Sequence, residues 1–378
     1  MKLLLVTTSY VNDNEGQAAA GTFVADFALA LAREGHQVTV VTPATVASEH
    51  IANGVRVCRF AVPRLPLSVL SPARPQDWLP IIRTLLAGQR AVSHACENHG
   101  ADHILALWAL PCGQWARTAG RRFHTAYSTW ALGSDIWTLG KLPVIRQLLA
   151  RVLQHATLCY ADGLQLGADV TAISGRACDF LPSSRQLESR SKTPRHAGPW
   201  RLAFLGRWHT NKGIDLLLDA LLLLEEHDWQ RIESIRIFGG GPLEPHVMKK
   251  TGQLMQQQRP IETGGYLDRQ QATDLLLWAD YLILPSRIES IPVIFSDAMQ
   301  TRCPIIATPI GDLPALLHEN PPCGILADAT TPEAIADAIR AALLQQPADF
   351  EAGMTRMATR FDITQAARDF VSRLQQGA

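Results

Sequence analysis

The chain has 378 residues, 47% of them hydrophobic and 19% charged, with 35 Lys and Arg balancing 35 Asp and Glu. That length exceeds one ordinary core and favours two domains, while the charge balance excludes a global field for nucleic acid. Seven cysteines, scattered and without a C-x-x-C pair, fit a reducing compartment and exclude a zinc framework.

In chain order, KLLLVTTS is a short apolar run suited to a strand buried on both faces, so the N-terminus is read as a first strand and not as a leader. VNDNEGQAAAG is loop. Gly21-Thr22 then opens FVADFALALAREGH, whose apolar spacing predicts a helix that Gly35 stops before the strand QVTVVTP. Strand, loop, helix and strand make a βαβ unit, which implies a parallel sheet with right-handed crossovers. HILALWALP, FHTAYSTWA and DVTAIS are expected to extend that sheet, alternating with helical stretches such as 141–158. Up to Pro182 there are 15 Lys and Arg against 12 Asp and Glu, a small excess that the remainder cancels.

From Leu181 to Trp200 the chain turns polar and rich in Ser, Arg and Pro, the texture of a linker. Then the pattern restarts: RLAFLG as a strand, GIDLLLDALLLLEEH as a helix, SIRIFG as a strand and QATDLLLWAD as a helix. YLILP and PIIAT are strands on either side of a helix that starts near Pro292, and TQAARDFVSRLQQ is a closing helix. The expected division is an N-terminal domain over 1–182, a linker over 183–199 and a second domain over 200–359. Two doubly wound parallel-sheet domains would leave a cleft at facing strand C-termini, where such sheets bind ligands. No run reaches eighteen apolar residues, so no membrane span is expected.

The chemistry concentrates in three places. SRIESIPVIFSDAMQ sets Glu289 in a loop and Asp297 eight positions later, inside a helix for which Ser290 is a plausible N-cap. The two acids flank a helix start whose free N–H groups favour an anion, and carboxylates accept hydrogen bonds from sugar hydroxyls. The plainer alternative is that each acid only complements the helix dipole. In FLGRWHTNKGIDLLLDA, Arg207 and Lys212 lie in a strand-to-helix loop; a bidentate donor beside a flexible point charge suits a diphosphate, unless both are surface decoration. Gly239, Gly240 and Gly241 follow a strand without forming G-x-G-x-x-G, so they suit a tight turn or the close approach of a ligand.

The order GR…KG, then GGGP, then ADYLILPSRIESIPVIFSDAMQTRCPIIAT resembles the C-terminal domain of glycosyltransferase family four, over roughly residues 200–345. EGHQVTVVTP and WALGSDIW resemble its N-terminal half more loosely. The resemblance implies the α/β GT-B fold, two Rossmann-like doubly wound domains with an interdomain cleft, and a last helix, 360–378, that packs back on the N-terminal domain. It implies a retaining transfer of sugar from a nucleotide donor to a saccharide or lipid-linked acceptor, in cell-envelope or exopolysaccharide synthesis, with UDP or GDP as the expected carrier. No cofactor and no metal are expected, in keeping with the absence of a D-x-D-type motif.

Carried over by position, Arg207 and Lys212 would grip the diphosphate and stabilise the departing nucleotide, and Glu289 would contact the donor sugar; these three form the catalytic set. Asp297, in place of the family's second Glu, would bind the ribose. Amides of Ser290 and Ile291 would fix the sugar, with Gly239 and Gly21 completing the donor-binding residues. Asp135, in LGSD where relatives read HGSD, marks the acceptor side. The missing histidine there, and another missing from LALWALPCG, motivate the alternative of a non-catalytic nucleotide-binding scaffold; an epimerase on the same fold is a second alternative. The expected location is cytoplasmic, with peripheral contact at the inner face of the membrane through the leucine-rich helix bearing Lys141, Arg146 and Arg151 as an option. A core-facing helix with a wet basic side is the plainer reading of that stretch.

Overall fold

The computed structural model describes residues 1–10, 21–187, 192 and 195–376. The loop expected over 11–20 and the centre of the polar stretch after Leu181 lie outside the described residues. The chain forms two compact units: Met1–Gln186 with Ile363–Ala378, and Leu187–Asp362. The break thus falls four residues beyond the expected Pro182.

The first unit holds β1 (Lys2–Val6), β2 (Gln37–Ala44), β3 (Ser48–Ala52), β4 (Val55–Ala61), β5 (His103–Leu107), β6 (Ala126–Ala131), β7 (Cys159–Ala161) and β8 (Cys178–Phe180). They form one sheet in the order β3-β4-β2-β1-β5-β6-β7-β8. Every pairing is parallel except β3 with β4. That hairpin turns on Asn53 and Gly54, both at positive φ (52° and 81°), as a two-residue turn requires. DVTAIS, expected as a strand, instead ends the helix Leu164–Ser174. Leu166, Val170 and Ser174 are buried at intervals of four, and Gly175 closes the helix in the left-handed conformation, so helical packing outweighs β-branched propensity there.

Two helical layers cover this sheet. On one face the helices Trp78–His99, Cys112–Phe123 and Pro143–His155 share a core with Leu4, Val6, Ile104 and Ala106. On the other, the helix Thr22–Arg33 packs against the closing helix Ile363–Gln376. There the Phe370 ring lies edge-on at 5.8 Å from Phe27, 5.7 Å from Tyr160 and 6.2 Å from His103, and Arg368 pairs with Glu34 at 2.8 Å. The last helix is therefore a core element of the first unit.

The second unit holds β9 (Trp200–Arg207), β10 (Ile232–Gly240), β11 (Ile261–Gly264), β12 (Tyr281–Leu284), β13 (Ile305–Ala307) and β14 (Gly324–Leu326). The order is β11-β10-β9-β12-β13-β14, wholly parallel. The chain steps outward from β9 to β11, then crosses to the other side of β9 with β12, so strand order reverses at the β9–β12 boundary. β9 stays paired with β10 as far as Arg207, but meets β12 only at Leu202 and Ala203. The C-terminal halves of β9 and β12 thus diverge and leave a crevice at the reversal, the place where doubly wound sheets take ligands. The helix expected over GIDLLLDALLLLEEH ends at Leu222, because Glu225 and Asp228 form a capping box that starts a separate turn, Glu226–Trp229.

Two outcomes test this core. Phe370→Ala, at a fully buried ring, is expected to cost about 3–5 kcal/mol in urea unfolding; a loss under about 1 kcal/mol would show that the last helix is not part of the core. His103 is buried beside Ser128 Oγ (2.9 Å), and burial pushes its imidazole down from 6.5 to about 4. The folded state then binds fewer protons than the unfolded chain between these values, so stability falls as pH falls through that window. Going from pH 7 to 5, wild type should lose about 2 kcal/mol more than His103→Gln; equal losses would contradict it.

Candidate functional site

The crevice at the β9–β12 reversal is built by two loops held together through main chain. Leaving β9 at Arg207, the chain makes a 3-10 turn over Thr210–Lys212 and enters the helix Ile214–Leu222 through Gly213, at φ 67°. A Cβ on Gly213 would lie 1.7 Å from the Pro285 carbonyl oxygen, so the loops touch at a point only glycine permits. Arg287 latches them: its Nη1 and Nη2 donate to the two Asp215 carboxylate oxygens at 2.8 and 2.6 Å, and Nη1 also donates to the Thr210 carbonyl at 2.7 Å. The Arg287 amide donates to the Asn211 carbonyl at 2.8 Å. Burial pushes the Asp215 carboxyl up, but the hydrogen bonds and charge of Arg287 leave it below its ordinary value, as an ion pair requires.

The latch sets Lys212 against Glu289, whose Oε1 accepts from the lysine Nζ. From Glu289 on, the loop leaves its amides without acceptors: those of Glu289, Ser290 and Ile291 meet none among the described residues. Ser290 Oγ is buried without a partner. The carbonyl side of the turn is closed by the loop after β13: a Cβ on Gly311 (φ 53°) would lie 2.3 Å from the Glu289 oxygen and 2.4 Å from that of Ser290. Successive unpaired amides at a helix start form an anion-binding concavity. The helix itself runs Val293–Gln300 with Pro292 as its cap, so Ser290 is not the N-cap that the sequence suggested. Asp297 is fully buried, at 0% exposure, and presents no surface to a ligand in this conformation.

The glycine run closes the opposite wall. A Cβ on Gly239 (φ 153°) would lie 1.9 Å from the Gly206 carbonyl, and one on Gly241 2.7 Å from that of Trp208. These glycines let the ends of β9 and β10 pack edge to edge, and the Trp208 amide donates to the Gly240 carbonyl at 2.8 Å. Trp208 Nε1 is buried without a partner. The exposed Arg207 side chain forms no hydrogen bond or ion pair with another described residue. Arg207, Lys212, Gly239, Glu289, Ser290, Ile291 and Asp297 thus all belong to the second unit.

Gly21 and Asp135 belong to the first. Gly21, at φ 128°, starts the helix Thr22–Arg33, and a Cβ there would meet Ser9 Oγ at 2.8 Å. Asp135 is buried, and its carboxylate accepts the Ala109 amide at 2.6 Å and the Leu132 amide at 3.3 Å. Burial pushes its carboxyl up to about 6 against the pull of those amides. It joins the loops after β5 and β6. Among the described residues the one group of three metal-ligating side chains is Glu49, Cys58 and His99, at the β3–β4 edge of the first sheet. Sequence reasoning missed the Arg287–Asp215 latch, Trp208 and Gly311. Arg287 sat in the quoted loop, but nothing in the sequence showed that it turns back to Asp215.

Residues 199–345 match the family described as "Glycosyl transferases group 1". A curated relative, the putative teichuronic acid biosynthesis glycosyltransferase TuaC of Bacillus subtilis, is 26% identical over 256 residues, 63% of this chain and 60% of its own length. The chain therefore spans about three fifths of that relative. Sucrose-phosphate synthase from Thermosynechococcus elongatus superposes with a TM-score of 0.77 at 16% identity, covering 100% of this chain and 99% of its own. Anabaena HepE in complex with UDP-glucose superposes at 0.70 with 13% identity, covering both chains completely. No helix among the described residues is long and apolar enough to cross a membrane. The chain has the GT-B fold of these solved structures, and its residues 199–345 match the glycosyl transferases group 1 family.

Proposed function

We propose that the protein is a retaining glycosyltransferase that moves a hexose from a nucleoside-diphosphate sugar to a saccharide or lipid-linked acceptor in envelope or exopolysaccharide synthesis. The observation that carries this reading is the crevice at the β9–β12 reversal, whose two latched loops carry Arg207 without a partner, Lys212 on Glu289 and three amides without an acceptor among the described residues. That donor set suits a pyrophosphate: guanidinium and ammonium for its charge, and an amide-lined turn for its oxygens or the sugar it carries. HepE, of the same fold, is described in complex with UDP-glucose, which favours UDP as the carrier.

The Lys212–Glu289 pair sets a cation and a carboxylate of the site against each other, so that each charge is balanced by the other. A pyrophosphate offers Lys212 a stronger partner, and the released Glu289 then faces the sugar that the phosphate carries. As the glycosidic bond breaks, negative charge grows on the departing diphosphate, and Arg207 and Lys212 stabilise it more strongly than the ground state. The amides of Ser290 and Ile291 hold the sugar, and Asp297 reaches the ribose only after a shift of the helix that carries it. Gly239 leaves room beside Trp208, and Gly21 opens the helix at the corresponding edge of the first unit. No resident cofactor or metal enters this scheme. A cytoplasmic protein resting peripherally on the inner face of the membrane completes the reading.

Lys212→Ala should lower kcat/KM for donor turnover at least tenfold, a loss above about 1.4 kcal/mol, with the unfolding midpoint unchanged. The assay is NMR of UDP-sugars with a panel of saccharide and lipid-linked acceptors. Unchanged turnover in the folded variant contradicts the assignment. Donor binding without transfer marks a scaffold, and sugar inversion at a ring carbon without acceptor marks an epimerase.

A further inference from the structure

The helix Trp78–His99 carries an apolar stripe that the fold leaves uncovered. Trp78, Leu79, Ile82, Leu85 and Leu86 are between 41% and 56% exposed. At 100° per residue they fall within an arc of about 120°. The core side of the same helix, with Thr84, Gly88, Val92 and Ala95, is buried on the sheet. Scattered exposed leucines are ordinary, but five large apolar side chains on three successive turns are not. The Trp78 indole nitrogen donates to the Pro72 carbonyl at 2.8 Å, which fixes the ring at the start of the stripe.

Charge indicates what covers it. Although the chain is neutral, residues 63–155 hold ten Lys and Arg against four Asp and Glu. Two of those acids, Asp77 and Asp135, are buried, so the solvent face shows Glu97 and Asp102 alone. Arg74, Arg83 and Arg90 are exposed around the stripe. The helix Cys112–Phe123, packed against it, exposes Arg121 and Arg122. The next helix, Pro143–His155, adds the exposed Arg146 and Arg151, with Leu142, Val144 and Leu148 also outward. An apolar arc with Arg74, Arg83 and Arg90 exposed around it, in a helical layer that exposes more arginine than acid, suits the boundary between acyl chains and anionic headgroups.

We infer that the first three turns of the helix Trp78–His99 insert into the interface of an anionic lipid bilayer, with the basic side chains of the same layer on the headgroups. The inference rests on the peripheral membrane contact proposed above, and moves its apolar anchor from the 141–158 stretch to Trp78–Leu86. β4 ends at Ala61 on the C-terminal edge of the first sheet, and the helix runs back to the start of β5 at His103. Its apolar turns therefore lie toward the edge of the sheet where a doubly wound domain binds its ligand. An amphiphilic acceptor resident in the bilayer would be delivered to that edge without leaving the lipid.

The test is co-sedimentation of the full chain with phosphatidylglycerol-rich vesicles and with pure phosphatidylcholine vesicles, at low and high salt. Wild type should bind the anionic vesicles at low salt at least tenfold more tightly than the neutral ones. Ile82→Asp with Leu86→Asp, and separately Arg83→Glu with Arg90→Glu, should each weaken that binding at least tenfold. UDP binding by calorimetry should stay at the wild-type level in both, since none of these residues lies at the β9–β12 crevice. The inference is overturned if wild type does not sediment with anionic vesicles at low salt, or if both double variants bind like wild type. It is also overturned if the stripe drives a concentration-dependent dimer, abolished by the aspartates, with no vesicle binding. Vesicle binding without donor turnover would instead remove the sugar-transfer reading and leave the docking surface standing.

Discussion

The contact on which the site depends is between two loops of the second unit, where Gly213 meets the Pro285 carbonyl and Arg287 grips Asp215. β9 and β12 part after two paired residues, so nothing in the sheet itself holds their loops together. The latch supplies that, using an ion pair with both carboxylate oxygens engaged and partial shielding from water, the arrangement in which such pairs hold geometry best. Its consequence is chemical. It brings Lys212 to Glu289 in the loop whose next amides have no acceptor among the described residues, the grouping on which the proposed anion site rests.

Burial divides the acids of the chain into two kinds. Glu289 keeps part of its surface and pairs with the partly exposed Lys212. Asp135 and Asp297 are sealed, and Asp135 fastens two loops by accepting their amides. A carboxylate used in that way shapes a binding surface without touching what binds there. The absence of histidine from LGSD is then less consequential for the fold than it appears from the motif, since the hydrogen bonds anchoring that turn come from Asp135 and main-chain amides.

Much of this was legible in the sequence. The apolar runs marked β1, β2, β5 and β6 of the first sheet and β9, β10, β12 and β13 of the second, and GR…KG with SRIES marked the two loops of the crevice. Other features were hidden for physical reasons. DVTAIS reads as a strand from its β-branched residues, but its burial follows a helical period that only packing reveals. Asp297 keeps its eight-residue spacing from Glu289, yet spacing carries no information about exposure. Asn53-Gly54 is a strong hairpin signal that was open to reading, while the clash a Cβ would make at Gly213 or Gly311 depends on chain neighbours far apart in sequence. Likewise, a net charge of zero concealed a basic helical layer, because balance over a whole chain says nothing about where each sign resides.

The central claim is that a pyrophosphate sits where Arg207, Lys212 and the amides after Glu289 converge. The most direct measurement is calorimetric titration of UDP into wild type, Arg207→Ala and Glu289→Gln. Removing the arginine should weaken binding at least tenfold. Freeing the lysine from its carboxylate should leave UDP binding equal or tighter, because the ligand no longer competes with Glu289 for the same charge. A wild type that fails to bind any nucleoside diphosphate, or an Arg207→Ala variant that binds as wild type does, would contradict the account.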